Sequence, residues 1–314
     1  MNPRIRTRLR DFSLRQFAAL AALALFAFAP ASATAQNTTA PAVFSLERVV
    51  IALKPDKNPE LMTQERRRLA DFLGARLGRP VEVIIPLSSA VILEGFANGS
   101  IDLGYLSATD MINAERIDAA TLLLAGEIAG RTDYRSYWVA LKDKPYVSVE
   151  DLRGRPIAFA SRTSTSGFVI PLWDLKQRGL IRAARPEEFF GAGNVIFGSG
   201  YVSAVERVLS GQVEAAAVSY YVLDEDKHLS AEQRARLKKI ADQGPVPTHV
   251  VAARTSLSAA DRAALRAALE ALNEPPHTAL RDRLFTSKLI SVDSVRHLAS
   301  LRSAIEFLES SPKP

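Results

Sequence analysis

The 314-residue sequence contains no cysteine. That absence excludes thiol nucleophiles, disulfide bridges and thiolate metal sites, and with them a lipidated cysteine as membrane tether. Histidine is nearly as scarce: His228, His249, His277 and His297 all fall in the last third, at separations that match no local metal-binding pattern. Solvation at the surface is the better reading for most of them. No G-x-S-x-G or G-x-x-x-x-G-K-[ST] run follows a strand pattern, and Asp224, Glu225 and Asp226 form a charge run of the kind that marks a solvated face. The chain therefore reads as a non-enzyme, with no catalytic residue, metal site or cofactor expected.

Long apolar runs are also few. The prominent one, Phe17 to Ala29, follows Arg4, Arg6, Arg8, Arg10 and Arg15; it is about a dozen residues long, short of the roughly 20 that span a bilayer. Ala31-Ser32-Ala33 and Ala33-Thr34-Ala35 behind it are small-x-small cleavage sites. Residues 1–35 are expected to be a cleaved signal peptide, releasing a periplasmic protein without a lipid anchor. The formal net charge is +6, but residues 1–35 carry five Arg and Asp11, which leaves only +2 beyond them. A nucleic-acid partner, which wants a clustered basic face, is not expected.

What is present is an alternation of short apolar runs with helical stretches. Arg48–Leu53, Val81–Ile85 and Ile101–Leu106 read as strands, separated by a helical pattern (Leu61, Leu69, Phe72, Leu73, Leu77) and by Ala90–Asn98, with Gly78 and Gly99 as stops. This rhythm indicates βαβ units and an α/β fold with parallel-type sheets. Thr121–Ile128 and Tyr137–Leu141 then read as consecutive strands with no helix between them, which places a crossover to a second lobe there. The rhythm resumes with Pro156–Ala160, a helix from Phe168, Asn194–Phe197, a helix from Tyr201 and Val213–Val218. Gly244-Pro245-Val246-Pro247 ahead of Val250–Ala253 looks like the return, and the Ala/Leu-rich helices after Ser258 are expected to pack on the first lobe. The expected division is 36–141 for the first part of lobe 1, 142–246 for lobe 2 and 247–314 for the return to lobe 1.

In open α/β sheets ligands bind beyond the carboxyl ends of strands, where helix N-termini present free amides and a partial positive charge. Ser164-Thr165-Ser166-Gly167 stands at such a strand-to-helix turn, as a set of neutral donors for an anion or as an ordinary Ser/Thr cap. Ser199 and Tyr201 stand at another, in Gly198-Ser199-Gly200-Tyr201, for which a plain tight turn is the competing reading. Lys54, Tyr105 with Ser107, and Ser219 with Tyr220 occupy further strand ends, the tyrosines being equally candidates for the core.

Pro80-Val81-Glu82-Val83, Gly99 through Tyr105, Val149-Glu150-Asp151-Leu152-Arg153-Gly154, Ser164-Thr165-Ser166-Gly167 with Pro171, Phe197-Gly198-Ser199 and Gly211 through Ala216 follow one another in an order that resembles the phosphate/phosphite/phosphonate-type substrate-binding proteins of ABC importers. The resemblance implies a type II periplasmic-binding fold, two lobes joined by a two-strand hinge, with a small anionic ligand in the cleft and an ABC-transporter permease as partner to a monomer. It gives Ser164, Thr165 and Ser166 the role of capping the oxyanion. Two positions depart from the family pattern: Gly200-Tyr201 stands where a histidine is frequent after the Gly-Ser pair, and Glu214 stands where Gly-x-Val-Asp is usual. A sensor docking on a receptor kinase, or a binder of a carboxylate or sulfonate, is the alternative.

Overall fold

The computed structural model describes residues 44–54, 62–225, 228–285 and 288–310, all within the unit Val43–Pro314. The expected signal peptide lies outside the described residues. From β1 (Val49–Ala52) the chain runs through α1 (Thr63–Leu77), β2 (Val81–Ile84), α2 (Ser89–Asn98), β3 (Leu103–Leu106) and α3 (Ala108–Arg116) to β4 (Ala120–Glu127). Both β1 and β3 are buried along their whole length, as strands covered on two faces require, which is why they read as unbroken apolar runs. Helix α1 buries Leu69 and Leu73, one turn apart, and stops at Gly78, whose φ of 63° is the left-handed conformation that glycine adopts without strain. Asp102, at the entry to β3, accepts from the Val50 amide at 2.8 Å and from Arg254 Nε at 2.9 Å, tying three strands together.

After β4 the chain crosses to β5 (Asp133–Leu141) and builds β6 (Ile157–Phe159), a π-helical turn (Thr165–Val169) leading into α4 (Ile170–Gln177), β7 (Val195–Phe197), α5 (Tyr201–Leu209), β8 (Ala215–Ser219) and β9 (Leu237–Pro247). It returns through β10 (Val250–Arg254), α6 (Ala259–Glu270), β11 (Lys288–Ile290) and α7 (Ser294–Ser310). The result is two sheets, ordered β11-β4-β10-β3-β1-β2 and β7-β6-β8-β5-β9. Trp138, fully buried on β5, packs its ring 5.5 Å from those of Phe159 and Phe190 in the second core.

Three expectations need correction. The sheets are mixed, not parallel-type: β1, β2 and β3 are parallel, as are β6, β7 and β8, but β10 runs antiparallel to β3 and β5 antiparallel to β8. The cause is topological. A βα strand finishes at the crossover end of its sheet, whereas a strand entering from the crossover starts there. For the same reason β5, grouped by its sequence with the first lobe, pairs with β8 and β9 in the second sheet. Helix α7, expected on the first lobe, touches both: Arg302 pairs with Glu115 of the α3 helix, while the Phe307 ring packs at a tilt against that of Trp173 of α4, centroids 5.7 Å apart.

The two crossing passages are stitched at Thr248. Its amide donates to Thr132 C=O at 3.0 Å and its hydroxyl to Gly126 C=O at 2.7 Å, so one buried side chain joins both links. Among the described residues no helix is long and apolar enough to cross a membrane.

Candidate functional site

A cavity of about 560 Å³ opens between the two sheets. Four helix starts meet on it: Ser88 and Ser89 at α2, Ser107 and Asp110 at α3, Ser164 and Thr165 at the π-helical turn, and Gly200 to Ser203 at α5. Each follows the carboxyl end of a strand, the position at which backbone amides lack intrahelical partners and the helix dipole is positive. Lys54, just past β1, adds a full positive charge. Its Nζ lies 2.7 Å from His249 Nε2. The second sheet's side of the lining, Ala160, Ser161, Thr163 to Thr165 and Ser199 to Ser203 with Tyr134 and His228, carries hydroxyls, amides and rings and, among the described residues, no carboxylate, lysine or arginine.

Ser164 accepts the Gly167 amide at 3.0 Å, which leaves its hydroxyl hydrogen available to the cavity. Thr165 meets Thr109 of the α3 helix, oxygen to oxygen at 2.8 Å. Ser166 is fully buried and does not line the cavity; its Oγ receives the Tyr134 hydroxyl at 3.2 Å and lies 2.6 Å from Tyr201 Oη, while its carbonyl accepts from Ser136 Oγ at 2.6 Å. Burial pushes the Tyr134 phenol well above its ordinary range, so that hydroxyl keeps its proton. Gly167 is required by packing: a Cβ there would stand 2.5 Å from that of Ala160 and 2.7 Å from Ser164 Oγ.

The structure thus brings Lys54, Ser107, Ser164, Thr165, Ser199 and Tyr201 to one cavity. Ser166 and Gly167 lie immediately behind its wall. Tyr105 does not reach it: the side chain is buried, with its hydroxyl donating to the Phe285 carbonyl and its ring 5.2 Å from that of Phe285. Nor do Ser219, buried in β8, and Tyr220, which donates to Glu225 at 3.0 Å and packs its ring 5.8 Å from Tyr134. Tyr105 and Ser219 turn into the core, and Tyr220 is half-buried against it.

Sequence reading missed Tyr134, Asp110 and both cavity histidines. Far from being solvated surface residues, His249 stacks parallel to Tyr134 at 6.3 Å and His228 against Tyr221 at 5.1 Å, and both line the cavity. A single cue was available for Asp110: a carboxylate three residues after Ser107 is the pattern of a helix cap, and the Asp110 amide indeed donates to Ser107 Oγ.

Two lobes, two crossing links and a cavity lined by helix starts between them define a bilobal α/β binding protein. The chain belongs to the family described as ABC transporter, phosphonate, periplasmic substrate-binding protein, whose model matches residues 51–295. A phosphate-import protein PhnD of Mycolicibacterium smegmatis is 25% identical over 202 residues, 63% of this chain and 62% of that relative. PhnD1 of Prochlorococcus marinus, solved with methylphosphonate, superposes with a TM-score of 0.70 at 18% identity, covering 84% of this chain and 98% of that one. XAC2383 of Xanthomonas citri, solved with ATP, gives 0.71 at 19% identity over 85% of this chain and 100% of its own. These likenesses agree with the type II periplasmic-binding fold.

Proposed function

We propose that this protein captures a small phosphorus oxyanion, a phosphonate, phosphite or phosphate-like ion, in the cleft between its sheets and delivers it to an ABC importer. The observation that carries this reading is the meeting of Lys54 with the helix starts of α2, the π-helical turn and α5 on one cavity. Aligned peptide dipoles and hydroxyls stabilise an anion without burying a matching countercharge. The family membership supports the transport role, and the names of the relatives support phosphorus chemistry. The direct contacts fall to Ser164, Ser199, Tyr201, Lys54 and the α2 amides beyond Ser88, whose side chain caps nothing, and Thr165 bridges the lobes. The mature chain, residues 36–314, acts as a monomer in the periplasm, reached through a signal peptide and without a lipid anchor, and its docking partner is a permease.

Capture works by closure. One lobe binds the anion first, and the second adds donors that only the closed form supplies, so ligand affinity is spent on shifting that equilibrium. A thermal-shift series against phosphate, phosphite, methylphosphonate and amino acids tests the reading: a ligand at 100 times its dissociation constant adds about 2.7 kcal/mol. Stabilisation by phosphorus oxyanions and not by amino acids is the expected result; stabilisation by amino acids alone overturns it.

A further inference from the structure

The cavity has a donor side and an acceptor patch. Asp110 is buried, and its Oδ2 receives the hydroxyl hydrogens of Ser89 at 2.9 Å and Ser107 at 2.7 Å. A carboxylate only accepts, so both serines have committed their single hydrogen to it and have none left for a ligand. The neighbouring amides are committed as well: Asp110 N–H donates to Ser107 Oγ at 3.1 Å and Thr109 N–H points to Thr165 Oγ1 at 3.4 Å. Asp110 Oδ1 receives no hydrogen bond among the described residues, and the residue lines the cavity. Around the start of α3, then, the first lobe presents one unmet carboxylate oxygen and serine lone pairs. An oxyanion without a hydrogen would be repelled there.

From this placement we propose that Asp110 is a specificity-determining residue that requires the ligand to bring a hydrogen-bond donor to it. The inference rests on the oxyanion-binding reading above and narrows it. Two sources fit: a P–O–H of a monoprotonated phosphonate or phosphate, or a hydroxyl or ammonium on the ligand's substituent. A fully ionised alkylsulfonate with an inert substituent offers neither. It leaves a buried acceptor unpaired opposite like charge, which is the strong form of discrimination.

The test is titration calorimetry of the full-length mature chain with methylphosphonate, dimethylphosphinate, methanesulfonate and 2-aminoethanesulfonate. Methylphosphonate should bind at least about a hundredfold more tightly than dimethylphosphinate or methanesulfonate if the oxyanion's own hydrogen is read. If the donor comes from the substituent, 2-aminoethanesulfonate should instead bind about a hundredfold more tightly than methanesulfonate. Asp110→Asn keeps an acceptor for Ser89 and Ser107 and gains two hydrogens, so it should strengthen methanesulfonate binding and narrow either ratio about tenfold or more, with the melting temperature confirming a folded variant. All four anions binding alike to the wild-type chain, or ratios unchanged in a folded Asp110→Asn protein, overturns the role of Asp110 while leaving an oxyanion cleft in place. Failure of all four to bind removes the oxyanion reading itself.

Discussion

Thr109 and Thr165 hold their hydroxyl oxygens 2.8 Å apart across the cleft, one on the first turn of α3 and the other on the π-helical turn of the opposite lobe. Both are buried, so the bond is shielded from competing water. It joins helix starts from the two lobes, and under the proposed closure it belongs to the closed form. Thr165→Val keeps the shape and removes the bond, a loss of about 0.5–1.5 kcal/mol from the closed state. Calorimetry with methylphosphonate should show affinity falling roughly two- to tenfold. Unchanged affinity would mean that this contact contributes nothing to closure.

Gly167 sits where any side chain collides with Ala160 and Ser164. Gly167→Ala should therefore lower stability by about 1–3 kcal/mol and displace Ser164 from the cavity wall. Chemical unfolding measures the first effect and ligand titration the second; a variant as stable as the parent would show that the turn can relax.

Asp102 and Arg254 form an ion pair whose side chains are 7% and 17% exposed. Removing one partner of a buried pair strands the other, so Asp102→Ala, which also leaves the Val50 amide unmet, should cost about 3–5 kcal/mol in urea unfolding. A loss under about 1 kcal/mol would place the pair effectively in solvent.

Strands β1 and β3 were legible because full burial on both faces leaves continuous apolar runs. The turn at Ser164 was legible because a Ser/Thr cluster between such a run and a helix supplies the side-chain acceptors that a helix start needs. Sheet membership was not legible. β5 reads like β4, and what separates them is a crossover whose pairing partners lie 75 to 114 residues downstream. The cavity's His249 was equally hidden: it is 195 residues from Lys54 in sequence, so no local spacing could connect them. Tyr105 misled for the opposite reason, since a strand buried on both faces gives no period-2 signal to say which side chain meets the cleft.

Glu214 is one of the carboxylates that make stability depend on pH. Burial alone would raise its carboxyl, but Lys144 Nζ at 2.9 Å and Tyr146 Oη at 3.1 Å hold it below the usual glutamate range. A carboxylate with a lowered folded-state pKa contributes stability that is complete above its unfolded value, about 4.3, and is lost as pH falls through the folded value. Glu214→Gln should lower stability at pH 7 and flatten the decline between about pH 5 and pH 3. Parallel curves for the two proteins in acid would show that the Lys144 contact does not bind the carboxylate preferentially.

Under the proposed function, Ser164 donates to an oxyanion held by the helix starts that face the cavity. Calorimetric titration of methylphosphonate into the wild-type and Ser164→Ala proteins tests it most directly. One ligand per chain and a weakening of about tenfold or more in the variant, the equivalent of one charge-assisted hydrogen bond of about 1.5–3 kcal/mol, is the expected result. Equal affinities in the two proteins would contradict it.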